Sequence, residues 1–271
     1  MTNKLTIYGT DGKAGAQTNL PPQFAEPVRA DLIKRAVLSI QSKARQSYGA
    51  APLAGRRHSV DVSRRRRDYR GSYGKGISRV PRKILSRRGG QMSWEGAFAP
   101  GTKGGRRAHP PKSEKDWTRK INTKENRKAI RSAIAATLDP ALVKARGHLA
   151  PITYPFAVAD GIEHLQKTKD LRATLFALGF EQELSRAANV QKRSGIATLR
   201  GRTRKVRKSI LIVASSSDAP VILAAENILG VEACGVDELN AEILAPGAHV
   251  GRLTIFTAGA LKQLEEKKLF A

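Results

Sequence analysis

The residues best suited to chemistry in this chain are cations. Arg64, Arg65, Arg66 and Arg67 run into Asp68, Tyr69 and Arg70. Lys75, Arg79, Arg82, Lys83, Arg87 and Arg88 follow, then Lys103, Arg106, Arg107, His109 and Lys112. Guanidinium forks bind phosphate oxygens bidentately and stack on planar bases, which an ammonium does poorly. Glycines at 71, 74, 76, 89, 90, 104 and 105 let the backbone bend sharply and press against a ligand. Tyr69, Tyr73, Trp94 and Phe98 lie among the cations, and such rings stack on unpaired bases. A second patch, Arg200, Arg202, Arg204, Lys205, Arg207 and Lys208, directly precedes an apolar run at 209–214. These types and spacings offer polyanion binding. A solvated charge run or an address signal explains four arginines in a row. It explains poorly seventeen basic residues spread through 55–112 with ten glycines.

Other chemistry finds little support. No phosphate-binding G-x-x-x-x-G-K-[ST] loop, dinucleotide fingerprint or G-x-S-x-G elbow occurs. The histidines (His58, His109, His148, His164, His249) are scattered, with no i, i+4 pair of the kind a metal site wants. They read as surface or packing groups, and Cys234 reads as small buried filler. Asp237-Glu238 and Glu265-Glu266 fit a helix start and a solvated face. An enzyme acting on RNA would need a convergent acid, base or metal site. The acidic residues instead concentrate away from the basic ones, and only 218–271 carries a net negative charge, −4. No catalysis, cofactor or metal is expected.

The cations sit in a chain of 271 residues with a net charge of +26. Segment 55–112 contributes +14 of this and residues 185–217, which contain no acid, contribute +9. A charge this far from zero speaks of partners rather than of fold. One cysteine excludes an intramolecular disulfide framework and a Cys-rich zinc site, and fits a reducing compartment. No run approaches the length of a membrane helix, and the first residues lack the pattern of a secretory signal. Segment 55–112 has only six branched aliphatics, too few to offset the entropy of ordering it. It is expected to be disordered alone and ordered, as an extended excursion, on a polyanion.

The flanks alternate strand and helix patterns. Residues 4–8 read as a strand ended by Gly9, and Pro27 as the first turn of a helix carrying Leu32, Ile33, Ala36, Val37 and Ile40. Asn122-Thr123-Lys124-Glu125 resembles a capping box opening a second helix. A strand at 156–159, a helix at 168–178 closed by Gly179, and a buried parallel strand at 209–214 follow. Asp218 is read as capping a helix to Asn227, residues 231–233 as a weak strand, and Asp237 as capping a short helix. A strand at 252–256 and a helix from 258 to 269 end the chain. This alternation predicts an α/β layered domain with a largely parallel sheet, interrupted near its N-terminal third by a long basic loop. The divisions are 1–54, 55–112 and 113–271. The second patch is expected on a loop before the 209–214 strand.

Several stretches resemble the universal family of the fourth large-subunit ribosomal protein, in its archaeal and eukaryotic branch. They are Gly104-Gly105-Arg106-Arg107-Ala108-His109-Pro110-Pro111-Lys112, Pro27 to Ile33, Arg131 to Thr137, Arg200-Gly201-Arg202 with 209–211, and Leu244 to Gly247 with 251–257. They span nearly the whole chain in the family's order; residues 56–98 share only its Gly/Arg character. No further tail follows Ala271, which favours the archaeal type. The resemblance implies a cytoplasmic protein of the large subunit: an α/β body outside, and a loop threaded through rRNA to the wall of the peptide exit tunnel. It implies neighbouring ribosomal proteins as partners, including a second tunnel-lining one, and neither a membrane nor a second copy of this chain. The residues by themselves leave a free-standing RNA chaperone or nucleic-acid packaging protein open.

Overall fold

The computed structural model describes residues 4–69, 71–89 and 91–270. It divides into two units: Met1–Ala44 with Thr118–Ala271, and Arg45–Trp117. The segment that charge sets off at 55–112 lies within the second.

In the first unit β1 (Lys4–Tyr8) turns back into β2 (Ala14–Asn19), and α1 (Ala30–Lys43) follows. The second unit contributes a hairpin, β3 (Arg82–Arg88) and β4 (Gln91–Gly96). The first unit resumes with α2 (Thr123–Thr137), α3 (Pro140–Ala145), β5 (Ala157–Val158), α4 (Thr168–Ala177) and α5 (Glu181–Ala188). A short pair, β6 (Gln191–Lys192) and β7 (Arg204–Lys205), encloses α6 (Ile196–Leu199). The chain ends with β8 (Leu211–Ala214), α7 (Pro220–Glu226), β9 (Glu232–Gly235), α8 (Ala241–Leu244), β10 (Thr254–Thr257) and α9 (Ala258–Glu266).

The main sheet has the order β2-β1-β5-β10-β8-β9. β1 and β2 are antiparallel and every other pairing is parallel, so the sheet is largely parallel as the alternation predicts. Successive side chains of β8 point to opposite faces and feed two apolar clusters. Leu211 and Val213 join Ile33, Val37, Ile134, Phe256 and Leu264, while Ile210, Ile212 and Ala214 join Leu171, Leu175, Phe180, Val221 and Ile255. No residue of 45–117 belongs to either cluster, and Ala97 is the one buried apolar side chain among its described residues.

Several local expectations shift. α1 begins after Pro27, because the Pro27 carbonyl accepts from Ser132 Oγ at 3.0 Å and that hydroxyl accepts the Arg29 N–H at 2.6 Å. Asn122 precedes α2 without capping it by its side chain, and Glu125 reaches Arg35 at 2.6 Å instead of closing a box. Asp218 makes no side-chain cap; α7 starts at Pro220, whose fixed φ suits a first turn. Asn240, not Asp237, caps the helix before Pro246, accepting from Glu242 N at 3.0 Å and Ile243 N at 2.9 Å.

Candidate nucleic-acid interface

The second unit is held together by backbone pairing and cation–ring contacts in place of an apolar core. Asp61 and Arg82 exchange backbone hydrogen bonds at 3.2 Å, and Ala50 N donates to the Pro111 carbonyl at 2.9 Å. Two glycines permit this close approach. A Cβ on Gly49 would lie 2.4 Å from Ser113 N; one on Gly55, where φ is +73°, would lie 2.5 Å from Arg106 N. In the β3–β4 hairpin Ile84 faces Trp94, and Lys83 faces Glu95 and pairs with it at 3.5 Å.

The interleaved aromatics take their partners from the segment's own cations. Lys75 and Arg82 each lie 5.5 Å from the Trp94 ring centroid, Arg79 lies 4.5 Å from Tyr73, and Arg87 lies 5.4 Å from Tyr69. Contacts of this kind are worth about 0.5–1 kcal/mol each when exposed, enough to bias side-chain positions and too little to replace a core. Arg64, Arg65, Arg66 and Arg67 are exposed and carry no ion pair among the described residues, as do Arg88, Lys103, Arg107 and Lys112. His109 is exposed and Arg106 half-buried. Arg70 and Gly90 lie outside the described residues. Unpaired exposed guanidiniums remain fully hydrated and available to phosphate.

The second patch occupies the β6–α6–β7 arm. Arg200, Arg202, Arg204, Lys205 and Arg207 are all exposed, with no acidic partner among the described residues. Lys208 differs, since its ammonium pairs with Glu232. Burial and the nearby Arg252 charge pull its pKa down. The arm's foot is fixed by buried Glu183, which accepts from Arg186 at 2.6 Å, Ser209 Oγ at 2.9 Å, Leu149 N at 2.9 Å and His148 Nδ1 at 2.8 Å. Burial alone would raise this carboxyl, but the bonds from Arg186, His148 and Leu149 outweigh it and hold it at about 2. Burial lowers His148 below its ordinary range. The fully buried Arg252 adds bonds to the Ser209 carbonyl at 3.2 Å and to Glu232 at 2.7 Å. The patch is a charged arm on a buried, hydrogen-bonded root.

Sequence reasoning missed two further basic surfaces. Lys34, Arg35, Arg119 and Lys120, with one acid, Asp31, line a cleft of about 430 Å³ on the first unit. In the second unit Arg45, Tyr48, Lys115 and Trp117 gather where its two ends meet. Tyr48 stacks on Trp117 with centroids 4.9 Å apart, and Lys115 lies 4.4 Å from the Trp117 ring. Trp117 sits just past the His109 to Lys112 motif, and one of only two tryptophans so near a basic run was the available signal.

The place where parallel sheets bind ligands, beyond the carboxyl ends of the strands, is filled by the protein's own acids. Glu163 accepts from Ser215 N at 2.8 Å and Thr257 Oγ1 at 2.6 Å, and Asp160 accepts from Gly259 N at 2.6 Å. An anionic ligand would meet these two carboxylates. Among the described residues no three His, Cys, Asp or Glu side chains gather as a metal site, and no helix is long and apolar enough to cross a membrane. Cys234 is buried, which pushes its thiol up to about 12.

Exposed polybasic surfaces, and a sheet whose strand ends are occupied by its own carboxylates, define a strongly basic α/β protein. The chain belongs to the ribosomal protein L4/L1 family, whose model matches residues 18–267. It is 48% identical over 267 residues to the large ribosomal subunit protein uL4 of Nanoarchaeum equitans, covering 98% of this chain and 99% of that one. The proteins of the same name from Methanoculleus marisnigri and Archaeoglobus fulgidus are 44% and 42% identical over 264 residues, covering 97% of this chain and 99% and 98% of theirs. These relatives are archaeal, and the chain is of the archaeal type of a structural family, not an enzyme family.

Proposed function

We propose that this protein is a structural constituent of the large ribosomal subunit in the cytoplasm, and that it binds large-subunit rRNA through two surfaces. The basic segment 55–112 penetrates the RNA, and the β6–α6–β7 arm anchors the body against it. Exposed arginines and lysines of both surfaces neutralise phosphates and release counterions, so association is salt-dependent. The carrying observation is that Arg64 to Arg67, Arg200, Arg202, Arg204 and Arg207 stay exposed without acidic partners among the described residues, while Arg29, Arg35, Arg131, Arg186 and Arg252 of the body are paired.

The glycines and cation–ring pairs of the second unit suit a segment that exchanges weak internal contacts for phosphates and bases. On the family resemblance, the segment ends at the wall of the peptide exit tunnel, beside a second tunnel-lining ribosomal protein. Binding without a recognised base-reading motif points to recognition of a fixed RNA shape through its backbone.

Sedimentation of large subunits after a high-salt wash tests this reading. One copy of the chain per subunit is expected. Variable stoichiometry across many nucleic acids would instead mark a free-standing RNA chaperone or packaging protein.

A further inference from the structure

The second unit carries a cleft of about 850 Å³ whose lining includes Tyr48, Arg107, His109, Lys112, Glu114 and Trp117. One face of Tyr48 lies against Trp117 with an interplanar angle of 17°, and the residue is 49% exposed. Arg45 sits 5.0 Å from the Trp117 centroid and Lys115 sits 4.4 Å from it, so cations already flank the indole. The Trp117 Nε1 donor is buried without an acceptor among the described residues. A clasp between the ends of the unit would account for the ring stack alone. It would not account for exposed Arg107, His109 and Lys112 on the same wall with one carboxylate, Glu114, among them.

We infer that this cleft binds an unpaired nucleotide of an RNA strand, with Tyr48 as the platform for its base. The outer face of Tyr48 stacks on the base, as aromatic side chains do with unpaired bases. Arg107 and Lys112 take the flanking phosphates. Glu114 accepts a hydrogen bond from an exocyclic amine, which cytosine, adenine and guanine present and uracil lacks. The ligand class is therefore a single-stranded segment with an amino-bearing base. The inference rests on the RNA-binding reading above and adds to it a site, a platform and a base preference.

The full-length chain is irradiated with a hexaribonucleotide carrying 5-iodocytidine, and the adducts are mapped by mass spectrometry. The expected adduct is on Tyr48 or Trp117, displaced about tenfold better by hexacytidylate than by hexauridylate and poorly by a duplex of equal length. Tyr48→Leu, which keeps an apolar contact with Trp117, should lower the yield about tenfold, and Glu114→Gln should remove the preference for C over U. Slow amide exchange at Ala50 reports that the unit remains folded in each variant. Adducts confined to Tyr69 or Tyr73, or equal displacement by all three competitors, would overturn the inference. Co-sedimentation of the unaltered chain with large subunits reads the ribosomal assignment separately, so either can fail alone.

Discussion

Arg119 meets Ser42 where the chain returns to the first unit: its backbone N–H donates to Ser42 Oγ at 2.8 Å, and its carbonyl accepts from Ser39 Oγ at 2.6 Å. Two serines on one face of α1 therefore fix the departure and return of the chain side by side. Both apolar clusters lie wholly within the first unit. Replacing 45–117 with a short Gly-Ser connector should leave a cooperatively melting α/β body. Loss of cooperative thermal unfolding in that variant would mean that the inserted segment supplies core.

Glu183 ties α5 to the root of the basic arm through Arg186, whose guanidinium also donates to the Lys208 carbonyl at 3.0 Å. Glu183→Gln should cost about 3 kcal/mol, because it leaves Arg186 without its counter-charge in a partly buried site. The pH dependence has a definite sign. A carboxyl held at about 2 contributes fully above its ordinary range, and its contribution is lost as pH falls toward 2. His148, kept neutral by burial, adds a separate loss of stability as pH falls below its ordinary pKa of about 6.5. Chemical denaturation between pH 7 and 2 should show both losses, and the variant should lack the more acidic one.

Gly49 has room for no side chain against Ser113, where a Cβ would lie 2.4 Å from the backbone nitrogen. Gly49→Ala should push the two strands of chain apart and break the Ala50 to Pro111 hydrogen bond. Amide exchange at Ala50 should accelerate about 5- to 30-fold, which is what losing a bond worth about 1–2 kcal/mol gives. Melting of the body should stay unchanged. Unaltered exchange at Ala50 would show that the backbone relaxes around the methyl.

The side chains of Arg202, Arg204 and Arg207 stand exposed on the arm without an ion pair among the described residues. Changing all three to Ala should reduce the slope of log affinity for large-subunit rRNA against log salt by roughly one unit per lost phosphate contact. Lys208→Ala should change the slope less, because Lys208 already pairs with Glu232. Equal slopes for the wild type and the triple variant would return the arm to solvent.

What the sequence made legible was whatever its own neighbours decide. The β-branched run at 209–214 announces a buried parallel strand, and β8 lies between β10 and β9 as such a run should. Gly179 ends α4 at a φ of +84°, as a glycine after a helical pattern suggests. β2, by contrast, is mostly exposed and carries Ala14-Gly15-Ala16-Gln17-Thr18-Asn19, so only backbone pairing with β1 makes it a strand. The β3–β4 hairpin was hidden because its cations break the alternation of apolar and polar residues that normally marks a strand. The basic surfaces were legible from charge and glycine content. Glu183 and Tyr48 were not, since Ser209 and Trp117, which give them their roles, are distant in sequence and meet them only in the fold.

Amide exchange across 55–112, compared between the free chain and the assembled large subunit, tests most directly whether rRNA orders this segment. In the free chain, exchange should be slow only at the β3–β4 hairpin and at paired amides such as Asp61 and Arg82, and fast elsewhere, because 45–117 has no apolar core. In the subunit it should slow throughout the segment, including Arg64 to Arg67. Equal protection in both states would contradict the account. If high in both, the segment is a preformed domain; if low in both, it is a tail that never enters the RNA.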